Sequence, residues 1–289
     1  MKILLEKRAT ITRKSVCGIG SFDGVHRGHK EIITALKKIA GDTRKTGIIT
    51  FIPLPFFVLK RAPIMYLTLK QEKEQLLREY AVDFVYYFKF TKTLAQLTPQ
   101  EFVETIAETI SPSHIVIGEN FHFGKDRSGS AHLLEKLAHG KFLVHVVSRK
   151  KDDGTISSTR IRELLLLGNI KAANRLLGRQ YTISGTVTKG KGKGTQLGFP
   201  TLNIQPSPHK LIPLDGVYKG DVFIHGKAYR SALFLKHDLV EAHVLGFSAN
   251  LYKKVVTVKL IERMRAVKKF KSEAALRRAI QHDVEMIRK

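Results

Sequence analysis

Two histidines, His26 and His29, lie three residues apart at the end of a glycine-rich segment that begins at Gly18. Apolar residues before the segment predict a buried strand, and the apolar spacing after it predicts a helix. Glycines let a turn approach a phosphate, and a helix N-terminus offers N–H donors to an anion. Such donors can stabilise charge that develops on an α-phosphate during nucleotidyl transfer. We therefore predict catalytic roles for both histidines; a glycine-rich turn with incidental histidines is the alternative.

The turn itself is predicted to bind ATP. Its predicted contacts are Gly20, Ser21, Phe22, Asp23 and Gly24. A second segment, Ser-Ser-Thr-Arg-Ile-Arg, begins a later predicted helix and offers hydroxyl and guanidinium groups to phosphate oxygens. From it we predict a catalytic role for Arg160 and ATP contacts for Ser157, Thr159 and Arg162. A capped helix with exposed arginines is the alternative for that segment.

A loop rich in lysine and glycine, followed by a polar strand, forms a further candidate site. Backbone amides and lysines at residues 189–194 could cradle an ATP phosphate tail, and we predict contacts from Lys191 and Gly194. Thr201 and Asn203 alternate along a predicted strand, so their side chains face the same way. Their oxygens suit Mg²⁺, which keeps several waters and bridges phosphates. A polar-faced edge strand after a flexible loop is the alternative.

The elements that must position these residues change in character near residue 178. Before it, strand patterns alternate with helix patterns. This alternation predicts an α/β domain: a Rossmann-like, doubly wound parallel sheet with helices on both faces. The predicted strands cover residues 16–22, 47–52, 83–90, 114–118 and 142–147. Thr68 is predicted to cap one helix, and Thr98, Pro99 and Glu101 are predicted to begin another.

After residue 178 only loops separate the predicted strands, which is typical of an antiparallel β-barrel. The six strand candidates are 181–188, 199–204, 217–224, 229–235, 240–245 and 255–261. Ser272 is predicted to cap a C-terminal helix whose apolar stripe runs from Leu276 to Ile287. We therefore predict a nucleotidyltransferase domain at residues 1–178 and a barrel domain at residues 179–289.

Composition narrows the classes of protein. The chain has 289 residues, a formal net charge of +25 and a single cysteine, Cys17. One cysteine excludes an internal disulfide and fits a reducing cytoplasm, where we expect the protein. The sequence has no apolar run of about 18 residues and no signal-peptide pattern, so no membrane association is predicted. The positive charge raises the chance of polyanionic partners, but it is spread along the whole chain.

At these segments the sequence resembles the bifunctional riboflavin kinase/FAD synthetase family of prokaryotes. The string Gly-Ser-Phe-Asp-Gly-Val-His-x-Gly-His at residues 20–29 is its most particular element, and the resemblance covers nearly the whole chain. Further matching segments lie at residues 50–55, 118–125, 156–162, 173–179, 198–203 and 216–218. The resemblance implies that riboflavin is phosphorylated to FMN with MgATP. It also implies that FMN is then adenylylated from ATP, giving FAD and pyrophosphate.

The resemblance also implies residue roles. Glu241 matches the glutamate that accepts the proton of the riboflavin 5′-hydroxyl, whereas its pattern alone would predict a solvated glutamate on a strand. The implied flavin contacts are Phe51, Pro53, Asn120 and Phe123. Asn120 replaces the family's usual aspartate. The segment at residues 231–239 is shorter than the family pattern, in which the corresponding residues help to shape the flavin pocket.

Three alternatives stay open. The shortened segment is compatible with an FMN adenylyltransferase whose kinase domain is impaired. The first site would also suit an adenylyltransferase for nicotinate mononucleotide or phosphopantetheine, although the aromatic loop at residues 51–57 argues against it. A basic RNA-binding protein is the alternative of another class, and it predicts clustered aromatic residues on the strands. We expect riboflavin, FMN, FAD and ATP as partners and no nucleic acid, and the sequence predicts no oligomeric state.

Overall fold

The computed structural model describes residues 1–5, 14–61, 63, 65–148, 156–190 and 192–288. The chain forms two compact units. The first consists of Met1–Ile64 and Thr68–Ile156, and the second of Met65–Leu67 and Ser157–Lys289. Two helices lie between this division and the domain boundary predicted at residue 178, which stays a prediction.

The first unit is built on a sheet of six strands. They are β1 (Lys2–Leu5), β2 (Val16–Ile19), β3 (Thr46–Ile52), β4 (Phe84–Lys89), β5 (His114–Gly118) and β6 (Leu143–Val147). Their order is β1-β4-β3-β2-β5-β6, and every pair is parallel. The parallel sheet is as predicted. The sequence does not predict β1, because four residues are too short to show a periodic pattern.

Helices cover both faces of this sheet. They are α1 (Arg27–Ala40), α2 (Pro55–Lys60), α3 (Lys70–Glu79), α4 (Lys92–Gln96), α5 (Pro99–Ile110) and α6 (Ala131–Leu137), with a 3₁₀ helix at Lys125–Arg127. Residues of α1 and α3 belong to one buried cluster, and residues of α5 and α6 belong to another. Consecutive strand residues such as Ile48 and Ile49 enter opposite clusters, as a sheet covered on both faces requires. The doubly wound arrangement is therefore confirmed.

The two predicted helix starts in this unit have different outcomes. Thr98 caps α5 as predicted: its hydroxyl accepts the Glu101 N–H, and the Glu101 carboxylate accepts the Thr98 N–H at 2.7 Å. The prediction that Thr68 caps α3 is wrong, because Leu69 is the cap residue. The Thr68 hydroxyl instead bonds Asp23 and Gly24, which lie more than 40 residues earlier in the chain.

The second unit consists of a helical segment, a barrel and a C-terminal helix. The elements are α7 (Ser158–Leu166), α8 (Ile170–Leu177), β7 (Tyr181–Thr188), α9 (Lys193–Gln196), β8 (Leu202–Pro206), β9 (Gly216–Ile224), β10 (Lys227–Lys236), β11 (Leu239–Val244), β12 (Val255–Arg265) and α10 (Glu273–Arg288). The six strands close into an antiparallel barrel in the order β10-β11-β8-β7-β12-β9. This confirms the predicted barrel and its strand number.

Polar contacts fix the ends of the second unit. Ser272 caps α10 as predicted, since its hydroxyl accepts the Ala275 N–H at 3.2 Å. The Arg265 guanidinium donates to both carboxylate oxygens of the buried Asp283, at 2.6 to 3.2 Å, and so joins β12 to α10. The buried Lys210 donates to the Leu67 carbonyl at 2.7 Å, which explains why residues 65–67 belong to this unit. Among the helices of the described ranges, none has both the length and the apolarity needed to cross a lipid bilayer.

Candidate active sites

The glycine-rich turn lies where the strand order of the sheet reverses. β2 is flanked by β3 on one side and by β5 on the other, so the strands that follow β2 in the chain are added on both of its sides. In open α/β sheets, ligands bind outside the carboxyl ends of the strands at such a point. Residues 20–26 connect the carboxyl end of β2 to α1 and therefore occupy this position. The topology supports the predicted use of the turn in ligand binding.

The turn has an uncommon backbone conformation. Phe22, Gly24 and Val25 all have positive φ values, of 45°, 83° and 39°. Only Gly24 adopts this conformation without a steric cost, since the other two residues carry a Cβ. Phe22 and Val25 are both fully buried, and their packing helps to offset that cost. The strand therefore ends at Ile19 and not at Phe22 as predicted, because extended pairing is incompatible with these angles.

The two histidines of the turn hold each other in place. The His26 N–H donates to Nδ1 of His29, and the His29 N–H donates to Nδ1 of His26, each at 3.3 Å. The rings stack with their centroids 3.6 Å apart. Because each Nδ1 accepts a backbone N–H, a neutral ring carries its proton on Nε2. The structure therefore brings the two predicted histidines together, and donation from their Nε2–H groups to a phosphoryl oxygen stays a prediction.

Two further residues anchor the turn, and the sequence did not reveal either role. Thr68 binds Asp23 through both its N–H and its hydroxyl, and the same hydroxyl accepts the Gly24 N–H at 3.0 Å. The Lys73 ammonium donates to the Ser21 carbonyl at 2.8 Å. Asp23 is 1% exposed, so its carboxylate shapes the turn from within, and a direct contact from it to ATP stays a prediction.

The implied flavin contacts differ in accessibility. Phe51 and Phe123 are buried in the cluster that contains α5 and α6, whereas Pro53 is half-buried and Asn120 is exposed. Two partly buried rings pack against that cluster, Phe90 on Phe51 and Phe121 on Phe123, with centroid distances of 5.8 and 5.7 Å. Phe90 directly follows the carboxyl end of β4, and Phe121 lies three residues after the carboxyl end of β5. They are the more accessible aromatic surfaces there, and the four predicted flavin contacts stay predictions.

The Ser-Ser-Thr segment begins α7. Ser157 is the cap residue, and its hydroxyl accepts the Arg160 N–H at 3.2 Å. Arg160 is exposed and forms an ion pair with Glu163 at 3.1 Å, while Thr159 is exposed. Arg162 is half-buried and donates to a backbone carbonyl at 3.5 Å. These residues belong to the second unit and the histidines to the first, so their joint action on one ATP stays a prediction.

The barrel brings the other candidate residues together on its outer face. Asn203 of β8 and Glu241 of β11 stand directly opposite each other across an antiparallel pair. Opposite residues in such a pair share a face and lie about 5 Å apart at Cβ. Their interior-facing neighbours Ile204, Val240 and Ala242 are buried. The barrel register therefore places the implied base beside one of the predicted magnesium ligands.

The loop before β8 approaches these residues closely. A Cβ added at Gly190 would lie 2.0 Å from the Asn203 amide nitrogen, and one added at Gly194 would lie 3.0 Å from the Thr201 hydroxyl. The loop backbone and both side chains thus meet without room for a larger residue. Thr201 lies one residue before β8 and not within the strand as predicted. Lys191 lies outside the described residues.

Glu241 is not a freely solvated carboxylate. It is half-buried, and burial raises its pKa above the ordinary glutamate value. Asn203 lies opposite it on one side, and Phe234 of β10 lies opposite it on the other. The shortened segment at residues 231–239 forms the end of β10 and a two-residue turn into β11, with Lys236 paired to Leu239. The regular hairpin keeps Glu241 in register although the segment is short.

The fold and the two candidate sites indicate a two-part enzyme: an α/β unit with a histidine-bearing, glycine-rich turn and a barrel unit with a carboxylate beside a loop rich in lysine and glycine. A family model described as FAD synthetase matches residues 8–160, and one described as riboflavin kinase matches residues 177–289. The chain belongs to the bifunctional riboflavin kinase/FMN adenylyltransferase family.

Individual relatives agree with this assignment. Bifunctional riboflavin kinase/FMN adenylyltransferases from Buchnera aphidicola of Schizaphis graminum and from Listeria monocytogenes are 35% and 32% identical to the chain. The alignments cover 96% and 93% of this chain and 95% and 90% of those proteins. A solved structure from Streptococcus pneumoniae, described as a macrolide-efflux protein, shares the fold with a TM-score of 0.91. It is 30% identical, and the match covers 100% of this chain and 99% of that one.

Proposed function

We propose that the chain makes FAD in two steps, phosphorylating riboflavin to FMN in the barrel unit and adenylylating FMN in the α/β unit. The observation that carries the proposal is that each of the two family-matched regions contains its own cluster of polar residues. The stacked histidines lie in the region similar to FAD synthetases, and the Asn203–Glu241 pair lies in the region similar to riboflavin kinases. RNA binding as a primary function is not favoured by this family membership.

In the adenylyl step, an oxygen of the FMN phosphate attacks the α-phosphorus of ATP. The bond between that phosphorus and the bridging oxygen breaks, and pyrophosphate leaves with the electron pair. His26 and His29 donate Nε2–H groups to the phosphoryl oxygens, on which charge develops. The N-terminal end of α1 adds a favourable dipole for the phosphates. The Gly20 and Gly24 N–H groups are used within the protein, where they donate to the Ile49 carbonyl and the Thr68 hydroxyl. No covalent enzyme intermediate is required, since both reactants are held together for direct transfer.

In the kinase step, the 5′-hydroxyl of riboflavin attacks the γ-phosphorus of ATP, and ADP leaves. Glu241 accepts the hydroxyl proton, a role that requires only alignment and late proton transfer. The loop at residues 189–194 binds the phosphates, with Gly194 close to Thr201 and Gly190 close to Asn203. Thr201 and Asn203 would hold Mg²⁺, because a hydroxyl and an amide oxygen beside a phosphate loop fit its preference for oxygen ligands. The chemistry supplied by a bound Mg²⁺ would be neutralisation of the negative charge on the phosphates.

Chromatography of flavins tests the proposal directly. The purified chain is incubated with riboflavin, ATP and MgCl₂, and samples are separated over time, with an ATP-free reaction as control. We expect FMN to appear first and FAD to follow. If riboflavin is unchanged while supplied FMN becomes FAD, the barrel has lost its kinase activity, and the adenylyltransferase-only alternative holds. If neither conversion occurs, the proposed function is wrong.

A further inference from the structure

A buried lysine lies beneath the glycine-rich turn and has no role in the chemistry described so far. Lys73 of α3 is 3% exposed. Its ammonium donates to the Ser21 carbonyl at 2.8 Å, and the hydroxyl of Thr50 on β3 donates to the same oxygen at 2.9 Å. Lysine is almost never fully buried without a partner that compensates its desolvation. The position is therefore costly, and the contact it makes is with the turn.

The contact fixes the orientation of one peptide group in the turn. A trans peptide places its carbonyl and the following N–H on opposite sides. With the Ser21 carbonyl directed at Lys73 and Thr50, the Phe22 N–H points away from α3. Phe22 is the first of three residues in the turn with positive φ, and the other two are Gly24 and Val25. Residues keep such φ angles only where surrounding contacts hold them. The hydrogen bonds from Lys73 and Thr50 to the Ser21 carbonyl are two of these contacts.

The lysine also brings a positive charge under a turn that binds an anion in the proposed reaction. The charged and titratable groups near it are Asp23 in the turn, Glu74 and Lys70 on α3, and Tyr87 on β4. Burial lowers the pKa of Lys73 to about 8, against the opposing effect of the Asp23 and Glu74 carboxylates. Below that pH the ammonium is charged, and as pH rises through about 8 the charge is lost.

We propose that Lys73 is a positioning residue for adenylyl transfer: it holds the Ser21 carbonyl and so fixes the backbone of the turn at residues 20–26, which presents His26 and His29 to the ATP phosphates. Its contact is to the turn and not to the nucleotide, and it acts through the peptide that it orients. The inference rests on the proposed FMN adenylyltransfer by this turn. Loss of Lys73 should therefore impair ATP use in FAD formation and leave FMN formation in the other unit unchanged.

The test compares Lys73→Met, Lys73→Arg and Lys70→Met. Methionine keeps the length of the side chain without its charge or donors, and arginine keeps both. Lys70 lies one turn earlier on α3, is more exposed and pairs with Glu74, so Lys70→Met removes a positive charge from the same helix. For each protein we would measure kcat and KM for ATP with supplied FMN, riboflavin phosphorylation in the same preparation, and the melting temperature.

We expect Lys73→Met to lower kcat/KM for ATP in FAD formation roughly 10- to 100-fold, the range for loss of a charged hydrogen bond. Riboflavin phosphorylation and the Lys70→Met protein should stay within about twofold of wild type. In wild type, KM for ATP should rise as pH passes about 8, and in Lys73→Arg that rise should be absent because arginine stays charged.

A Lys73→Met protein with wild-type FAD formation would overturn the inference. If Lys73→Met fails to fold, the pH profile of Lys73→Arg decides: a KM that still rises near pH 8 excludes Lys73 as its cause and overturns the inference. Failure of the proposed function has a different signature, since wild type itself would then form no FAD from FMN. The two failures are therefore distinguishable in one set of assays.

Discussion

The two candidate sites are built in different ways. The glycine-rich turn of the α/β unit depends on contacts between residues far apart in sequence, such as Thr68 with Asp23 and Lys73 with Ser21. The site on the barrel depends on the regular register of neighbouring strands, which puts Asn203 opposite Glu241. The first site therefore requires many anchors to hold an irregular backbone, whereas the second obtains its geometry from the sheet itself.

This difference predicts how each site responds to substitution. Substitution of a residue that takes part in the reaction should lower activity strongly at either site, because it removes a reacting group. A change to a supporting residue should cost less stability on the barrel, where the hydrogen bonds of the strands remain. In the turn, loss of one anchor leaves residues with positive φ less constrained, so geometry and stability should fall together.

The largest effect is expected for Glu241→Gln. Glutamine keeps the size of the side chain but cannot accept the proton of the riboflavin hydroxyl. FMN formation should fall roughly 100- to 10,000-fold, the range for loss of a general base. Conversion of supplied FMN to FAD should be unchanged, because the glycine-rich turn with His26 and His29 lies in the other unit.

Glu262→Gln is the matched control for that substitution. Glu262 lies on β12 of the same barrel and pairs with Lys171, away from the Asn203–Glu241 pair in the strand order. Its removal should leave FMN formation within about twofold of wild type. Equal losses of FMN and FAD formation in Glu241→Gln would contradict two independent sites.

The second largest effect is expected for His29→Ala. The substitution removes an Nε2–H donor and also the Nδ1 that accepts the His26 N–H. FAD formation from FMN should fall roughly 100- to 1,000-fold, as for loss of one donor to a developing oxyanion. His139→Ala, which removes an exposed histidine from the same unit, is the control. Near-normal turnover of His29→Ala would refute the assignment of the phosphate turn.

The same contrast explains how much could be predicted from the sequence. Periodicity identified the parallel sheet, the helices on its two faces and the six barrel strands, because each pattern is local. Thr98 was predicted correctly since its capping partner Glu101 lies three residues away. Thr68 was not, since its partner Asp23 lies 45 residues away and competes with the local helix start.

Lys73 could have been found from a signal in the sequence. It lies four residues after Leu69 and four before Leu77, on the apolar stripe of α3, where a lysine interrupts the pattern. A buried cation on an apolar helix face implies a polar partner on the facing element. The identity of that partner, the Ser21 carbonyl, could not be predicted, because no pattern specifies which backbone carbonyl the turn directs inward.

A smaller effect is expected on the barrel for Gly190→Ala. The new Cβ would lie 2.0 Å from the Asn203 amide nitrogen, so the amide must move. FMN formation should fall roughly 10- to 100-fold, the loss expected when a binding group is displaced by about 1 Å. The melting temperature should change little, since the strand pairing of β8 and β11 remains.

Gly192→Ala is the comparison for this prediction. Gly192 has a φ of 72° and no atom within 4 Å of an added Cβ. Alanine there should cost about 1 kcal/mol of stability through backbone strain and leave the Asn203 amide in place. Kinase activity that falls equally in both variants would show that loop strain, and not displacement of Asn203, controls the reaction.

The smallest effect on activity, combined with a measurable loss of stability, is expected for Thr68→Val. Valine keeps the shape of threonine but removes the hydroxyl that bonds Asp23 and accepts the Gly24 N–H. The free energy of unfolding should fall by about 1–3 kcal/mol, measured in urea, because these groups are buried. Thr105→Val, which removes a hydroxyl bonded to a carbonyl of its own helix, should cost less. A several-fold fall in FAD formation together with lost stability would support the view that this site depends on distant anchors. Lost stability with wild-type FAD formation would instead show that the turn keeps its shape without Thr68, and the contrast with the barrel would then rest on Lys73 alone.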